Sequence, residues 1–205
     1  MNLVFDFGGV LFHWQPHAIV AAALPELTPS RAAADRLVAD IFQGYGGDWG
    51  EFDRGAVAVD VLAQRIARRV PAVSAAQARA VIDAVPAALL PIAGTVALLQ
   101  QLHARGHALY FLSNMPEPYA RHLEATHHFL RLFRRGVFSA RVKMIKPEPA
   151  IFEHAAEAFG IVPAHSLFID DMARNVAAAQ VAGWQAFQFS DPAQCEAELS
   201  RRALL

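Results

Sequence analysis

Short apolar runs alternate along the chain with longer segments of helical periodicity. Four of the runs predict strands, at residues 3–7, 108–112, 166–169 and 184–189, because they are rich in β-branched or aromatic residues and are bounded by turn residues. Helical periodicity followed by glycine predicts helices at 91–105, 149–159 and 172–181. Strands that alternate with helices favour an α/β fold with a doubly wound parallel sheet.

Residues 13–88 have a different pattern, rich in alanine and poor in strand signals. Helices are predicted at 32–42, 57–70 and 75–85, and a stretch containing four glycines interrupts the pattern between residues 44 and 50. Because the segment follows the first strand, it would emerge at the carboxyl end of that strand. We therefore expect a Rossmann-like α/β core formed by residues 1–12 and 89–205, and a small helical cap formed by residues 13–88.

Composition narrows the class of protein. The chain has 205 residues, 55% of them hydrophobic, which is enough for one sizeable core with a small second lobe. A net charge of -1 does not indicate the basic surface that nucleic-acid binding requires. The single cysteine, Cys195, excludes an internal disulfide and fits a reducing compartment. With no apolar run of roughly 18 residues and no basic leader, we expect a cytoplasmic protein that does not bind membranes.

Acidic side chains and glycines follow two of the predicted strands. Asp6 lies near the end of the first strand and is followed by Gly8 and Gly9, while Asp170 and Asp171 follow the third. Because ligands bind at the carboxyl ends of the strands in open α/β sheets, we expect these groups to converge. Three carboxylates crowded together need a cation, and hard oxygen ligands favour Mg²⁺. Alone, Asp6 could be a turn residue, a nucleophile or a metal ligand.

Two further segments supply groups suited to phosphate. Ser113 and Asn114 follow the second strand, and their hydroxyl and amide can donate hydrogen bonds to phosphate oxygens. Lys146 lies between isoleucine and proline in a stretch stiffened by two prolines, which fix the direction of its ammonium group. A lysine in this setting is a point charge that can neutralise phosphate and nucleophile together.

Taken in order, these segments resemble the four motifs of the haloacid dehalogenase superfamily. The motifs correspond to residues 5–11 (Phe-Asp-Phe-Gly-Gly-Val-Leu), 111–114 (Phe-Leu-Ser-Asn), 146–147 (Lys-Pro) and 168–171 (Phe-Ile-Asp-Asp). The cap position is similar to that of the small helical-cap subgroup, which includes sugar-phosphate phosphatases and the amino-terminal phosphatase domain of soluble epoxide hydrolase. The resemblance covers essentially the whole chain.

The resemblance implies a Mg²⁺-dependent phosphatase acting on a small phosphomonoester, such as a sugar or nucleotide phosphate. Asp6 would attack phosphorus to form an aspartyl-phosphate, which water then hydrolyses. Asp171, the Gly8 carbonyl and Asp6 itself would hold the metal, and Asp170 would be a further ligand or would orient Lys146. The implied catalytic residues are Asp6, Ser113, Lys146 and Asp171, and the implied phosphate-binding residues are Gly8, Gly9, Ser113, Asn114 and Lys146.

The chain departs from the family pattern at Gly8. Phosphatases of this superfamily usually carry a second aspartate two positions after the nucleophile, which protonates the leaving group and then activates water. Glycine cannot donate a proton, so catalysis could be slow or restricted to good leaving groups, or another residue could supply the proton. His13 is the nearest candidate in sequence. Within the predicted cap, a glycine-broken stretch could overhang the catalytic carboxylates; it contains Tyr45, Trp49, Phe52, Asp53 and Arg54. Of these, Trp49 and Arg54 are candidates for substrate contact.

Three alternatives stay open at this point. A phosphomutase would return the phosphoryl group to its substrate, but it also needs the proton shuttle that Gly8 lacks. Haloacid dehalogenases put an aromatic residue at this position and need no metal, and Gly8 with the Asp170–Asp171 pair argues against that branch. A non-catalytic protein could use the same cleft for binding.

Overall fold

The computed structural model describes residues 1–205 and contains one parallel five-stranded sheet. The strands are β1 (Asn2–Phe5), β2 (Ala108–Ser113), β3 (Arg135–Phe138), β4 (Ser166–Asp170) and β5 (Gln185–Gln188). Their order in the sheet is β3-β2-β1-β4-β5, which confirms the predicted doubly wound parallel sheet. The first strand is therefore central, and β2 and β4 lie on either side of it.

The register of the three central strands aligns the residues of the predicted motifs at one edge of the sheet. Phe5 is paired with Phe111 of β2 and with Ile169 of β4, so the residues that follow all three lie at the same edge of the sheet. The backbone N–H of Asp6 extends the ladder by donating to the Ile169 carbonyl at 2.9 Å. The predicted convergence of the strand ends thus follows from the pairing of three buried apolar strands.

Five helices lie within residues 13–88: α1 (Pro16–Ala23), α2 (Arg31–Phe42), α3 (Gly47–Asp53), α4 (Val59–Arg69) and α5 (Ala75–Ala88). The remaining helices are α6 (Ala93–Ala104), α7 (Glu117–Thr126), α8 (Ser139–Val142), α9 (Pro149–Phe159), α10 (Ala173–Val181) and α11 (Pro192–Arg201). The six helices predicted from periodicity are all present, with ends that differ by three residues or fewer.

Some elements depart from the sequence prediction. Residues 47–53 form the short helix α3, although glycines were expected to break the helical pattern there. Gly50 is inside that helix, and a side-chain Cβ at this position would lie 3.1 Å from the Tyr45 carbonyl oxygen, so glycine permits close packing. Strand β3 was not predicted, because only the second half of its four residues is apolar and buried.

Buried apolar residues form one cluster on each face of the sheet. Val4 belongs to a cluster of 11 residues on one face, whereas Leu3 and Phe5 belong to a cluster of 42 on the other, as the alternation of a strand requires. The larger cluster continues from the sheet into helices α2, α4 and α5. The division into a core and a cap at residues 12 and 88 stays a prediction. None of the helices is both long enough and apolar enough to cross a membrane.

Candidate active site

A lysine lies between two carboxylates at the carboxyl edge of the sheet. The Lys146 Nζ is 2.8 Å from Asp6 Oδ1 and 2.7 Å from Asp170 Oδ2, and the lysine is only 2% exposed. Asp6 Oδ1 also accepts a 2.7 Å hydrogen bond from the Phe7 backbone N–H. A buried ammonium group must be paired to offset its lost hydration, and here both partners come from neighbouring strand ends.

Asn114 holds the backbone that carries this lysine. Its Nδ2 donates to the Lys146 carbonyl at 2.9 Å, and its Oδ1 accepts from the Lys146 N–H at 2.8 Å. The end of β2 is thereby tied to the loop before α9. Beside it, the Ser113 side chain is buried, and its Oγ has no hydrogen-bond partner in the protein. A buried hydroxyl without a partner is costly, so this atom is suited to an oxygen supplied by a ligand.

The two adjacent aspartates have different surroundings. Asp170 is fully buried and accepts hydrogen bonds from Asn175 Nδ2 and the Met172 N–H in addition to Lys146. Its oxygens are therefore occupied by protein donors, and it positions the lysine. Asp171 has no such donors from other side chains, and burial together with the negative charge of Asp170 raises its pKa to about 6. Asn175, on α10, was not singled out from the sequence.

The acidic groups form a compact triad. Carboxylate oxygens of Asp6, Asp170 and Asp171 all lie within 4.8 Å of one another. Burial raises the pKa of Asp6 to about 8, with Lys146 acting in the opposite direction and the other two carboxylates adding to the rise. One ammonium group cannot balance three carboxylates, so the donor set fits a hard divalent cation such as Mg²⁺.

The loop after β1 supports this arrangement through its glycines. Gly9 has a φ of +75°, and a Cβ built there would lie 2.4 Å from Asp171 Oδ2. The Asp171 carboxylate thus lies directly against the Gly9 backbone, where no side chain could fit. At Gly8, by contrast, a Cβ would meet nothing within 4 Å.

An open cleft lies above these residues. Its volume is about 130 Å³. Asp6, Gly8, Lys146 and Asp171 form its floor. The other lining residues include Trp14, Tyr45, Trp49, Asp53, Val85, Leu89, Asn114, Met115, Tyr119 and Arg174.

The candidates for substrate contact and for proton donation differ in whether they line the cleft. Trp49 lines the cleft, but Arg54 does not, because its guanidinium forms a bidentate pair with Glu148 at 2.8 and 2.5 Å. His13, the candidate proton donor, is exposed and does not line the cleft. The next residue, Trp14, does line the cleft, so closeness in sequence to Asp6 was not enough to bring the His13 side chain there.

A family model described as a haloacid dehalogenase-like hydrolase matches residues 1–183. The chain belongs to this family. The match confirms the resemblance inferred from the four motifs, and this family member is accordingly a hydrolase.

Three relatives are similar over almost the whole length of this hydrolase. The sesquiterpene phosphatase astK of Aspergillus oryzae is 27% identical over 189 residues, which cover 92% of this chain and 89% of the relative. The HAD family enzyme bt-2542 from Bacteroides thetaiotaomicron, solved in complex with magnesium and inorganic phosphate, has 23% identity and a TM-score of 0.71, covering 93% of this chain and 94% of that one. A predicted HAD-like hydrolase from Porphyromonas gingivalis has 24% identity and a TM-score of 0.74, covering 98% and 97%.

The hydrolase has one buried acid in the cleft that the sequence did not single out for chemistry. Asp53, the last residue of α3, is 6% exposed, and its carboxyl group makes no hydrogen bond or ion pair. Burial raises its pKa to about 8; the negative charge of Asp6 contributes to the rise and Lys146 opposes it. In the sequence, Asp53 has charged neighbours, a pattern typical of a solvent-exposed surface. Only the packing of α3 places its side chain in the cleft.

Proposed function

We propose that this hydrolase is a Mg²⁺-dependent phosphatase that cleaves a small phosphomonoester through an aspartyl-phosphate on Asp6. The observation that carries the proposal is the buried Asp6–Lys146–Asp170 arrangement beside Asp171 on the floor of an open cleft. A curated relative named as a phosphatase supports it, as does the magnesium and phosphate complex of bt-2542.

The residues that would hold the metal are Asp6, Asp171 and the Gly8 carbonyl. Asp170 is the less suitable ligand, because its oxygens already accept from Lys146, Asn175 and a backbone N–H. When bound, Mg²⁺ would neutralise charge on the phosphoryl oxygens and on the acidic triad. Its charge would also favour the ionised form of Asp6, which is the nucleophilic form.

Protein groups around the floor supply the rest of the chemistry. The Phe7 N–H and Lys146 both contact Asp6 Oδ1 and so fix the orientation of the carboxylate for attack on phosphorus. Lys146 would offset negative charge on the transferring phosphoryl group, while the Ser113 hydroxyl would donate to one of its oxygens. Asn114 keeps the lysine in place through two backbone hydrogen bonds.

The walls of the cleft favour an alcohol with an apolar part. Trp49, Val85 and Leu89 line it, and two tyrosine hydroxyls are already engaged: that of Tyr119 donates to a backbone carbonyl, and that of Tyr45 accepts from a tryptophan. Apart from Asp53, Arg174 and the Tyr45 O–H, few polar groups of the walls remain to pair with sugar hydroxyls, which are costly to bury without partners. An alkyl or isoprenoid phosphate therefore fits better than the sugar or nucleotide phosphate expected from the family resemblance, in line with the sesquiterpene phosphatase relative.

Phosphate release from a panel of alkyl, isoprenoid, sugar and nucleotide monoesters tests the proposal. Release should require Mg²⁺ and should be abolished in Asp6→Asn, with Asp35→Asn, at an exposed site on α2, as the matched control. Turnover that survives Asp6→Asn would exclude the covalent mechanism, and turnover in excess chelator would exclude the metal. Phosphoryl return to the substrate would indicate a mutase, halide release from 2-haloacids a dehalogenase, and no turnover by the folded protein a binding role.

A further inference from the structure

We propose that Asp53, on α3, is the general acid and base of this reaction. It would replace the aspartate that related phosphatases usually carry at the position of Gly8. The inference rests on the proposed phosphatase function. It concerns which residue protonates the alcohol that leaves and then activates the water that attacks the aspartyl-phosphate.

The geometry of the cleft supports this assignment. Asp53, Gly8 and Asp6 line the same cleft, from different elements. A Cβ at Gly8 would meet nothing within 4 Å, so the space beside the nucleophile is open toward the cleft. An alcohol oxygen or a water molecule can occupy that space. Asp53 stands outside the acidic triad, which leaves its carboxyl group free of the metal-ligand set.

The end of α3 is fixed to the sheet side of the cleft. The Asp53 carbonyl accepts a 2.5 Å hydrogen bond from Ser139 Oγ, which in turn accepts from the Met115 N–H at 2.8 Å. The preceding Phe52 packs edge-on against Tyr119, with ring centroids 5.6 Å apart. An acid–base group must be held in place relative to the reacting atoms, and these contacts do so for the residue.

The surroundings of Asp53 suit a proton donor. Its carboxyl group is buried without a hydrogen-bond donor, and its pKa of about 8 keeps it protonated near neutral pH. Four titratable groups face it: Asp6, Lys146, Tyr45 and Tyr119. Several charged groups on elements next to α3 are engaged elsewhere: Arg65 and Arg69 with Asp48, Arg141 with Glu117 and Glu124, and Lys143 with the Gly55 carbonyl.

Asp53 alone gives and recovers the proton that the two steps require. In the first step, an Asp6 oxygen bonds to phosphorus, the bond from phosphorus to the alcohol oxygen breaks, and that oxygen takes the proton of Asp53. In the second step, the Asp53 carboxylate takes a proton from water, whose oxygen bonds to phosphorus while the bond to Asp6 breaks. Inorganic phosphate, ionised Asp6 and protonated Asp53 result.

Leaving-group dependence of Asp53→Asn tests the first step. For an alkyl phosphate, whose alcohol leaves only with a proton, kcat/KM should fall about 10²- to 10⁴-fold. For 4-nitrophenyl phosphate, whose phenolate leaves without one, kcat/KM should change by a few fold, while kcat falls and a burst of nitrophenolate appears because the intermediate hydrolyses slowly. Asp60→Asn, at an exposed site on α4, is the control and should leave both substrates unchanged.

The pH profile and a conservative variant complete the test. With alkyl phosphate, kcat/KM of the wild-type protein should decline as pH rises through about 8, and this limb should be absent in Asp53→Asn. Asp53→Glu should retain more activity than Asp53→Asn, because it keeps a carboxyl group. An equal loss of kcat/KM on both esters, or a retained alkaline limb, would overturn the assignment while an Asp6-dependent phosphatase stands. No phosphate release by the wild-type protein would overturn both.

Discussion

Two adjacent glycines with opposite environments provide a sharp test of the site geometry. We expect Gly9→Ala to weaken both the fold and Mg²⁺ binding, and Gly8→Ala to do neither. At Gly9, alanine would have to adopt a φ of +75°, and its Cβ would lie 2.4 Å from Asp171 Oδ2. Gly8 does not have a positive φ, and a Cβ added there would have no atom within 4 Å. Gly8→Ala is therefore a matched control at the adjacent position.

The magnitude follows from two costs at Gly9. The left-handed conformation costs a non-glycine residue about 1–2 kcal/mol, which in a chain of this size lowers Tm by roughly 2–8 °C. The displaced Asp171 carboxylate is a proposed metal ligand, and we expect its movement to weaken Mg²⁺ binding by about tenfold or more, equivalent to about 1.4 kcal/mol. Gly8→Ala should change stability by about 1 kcal/mol or less, and in the stabilising direction if the unfolded chain loses entropy.

Thermal unfolding with and without Mg²⁺, together with calorimetric titration of the metal, measures both effects. The metal should raise the Tm of the wild type and of Gly8→Ala, and should raise that of Gly9→Ala much less at the same concentration. Equal Mg²⁺ affinities in the two variants would refute the argument that Asp171 against the Gly9 backbone forms part of the metal site. Equal Tm values without metal would refute the strain argument.

Three further predictions follow from buried groups. Lys146→Met should abolish phosphate release and destabilise the protein by about 3–5 kcal/mol in urea unfolding at neutral pH, because it leaves two buried carboxylates unpaired; an unchanged midpoint would contradict the pairing. Asp53→Asn should raise Tm at pH 8 and leave it unchanged near pH 4, because a folded-state pKa raised from 3.8 to about 8 makes stability fall as pH rises between those values; a gain that is the same at both pH values would contradict it. Trp49→Ala should raise KM for alkyl phosphates more than for 4-nitrophenyl phosphate, measured by initial rates, and an unchanged KM for both would remove Trp49 from the substrate-binding wall.

Much of the core fold could be predicted because its signals are local. The strands at residues 3, 108 and 166 are buried on both faces, so they read as continuous apolar runs, and the helices between them end at glycines. Strand β3 lies at the edge of the sheet and is half exposed, so its composition carries little strand signal. The helices α1, α7 and α11 were also not predicted, although each begins with or beside a proline that is suited to a first turn.

The site was predictable mainly where its residues follow strands, and among the residues on helices only Trp49 was correctly named as a candidate for substrate contact. Asp6, Ser113 and Asp170 are brought together by the register of adjacent strands, which an α/β alternation already implies. Asp53 is brought to the cleft by the packing of α3 on residues far away in sequence, such as Ser139. The sequence predicts that the stretch containing Asp53 could overhang the catalytic carboxylates, but no periodicity within residues 47–53 encodes the contact that turns Asp53 inward, so its role could be assigned only from the structure.

The central position of β1 also bears on how the chain folds. Its partners β2 and β4 begin about 100 and about 160 residues later, so the middle of the sheet cannot form until most of the chain is available. On a ribosome, this apolar strand would emerge before both of its partners and stay unpaired while the helices of residues 13–88 are synthesised. We expect refolding of this protein to be slow and prone to aggregation at high concentration, with the pairing of β1 completed among the last steps.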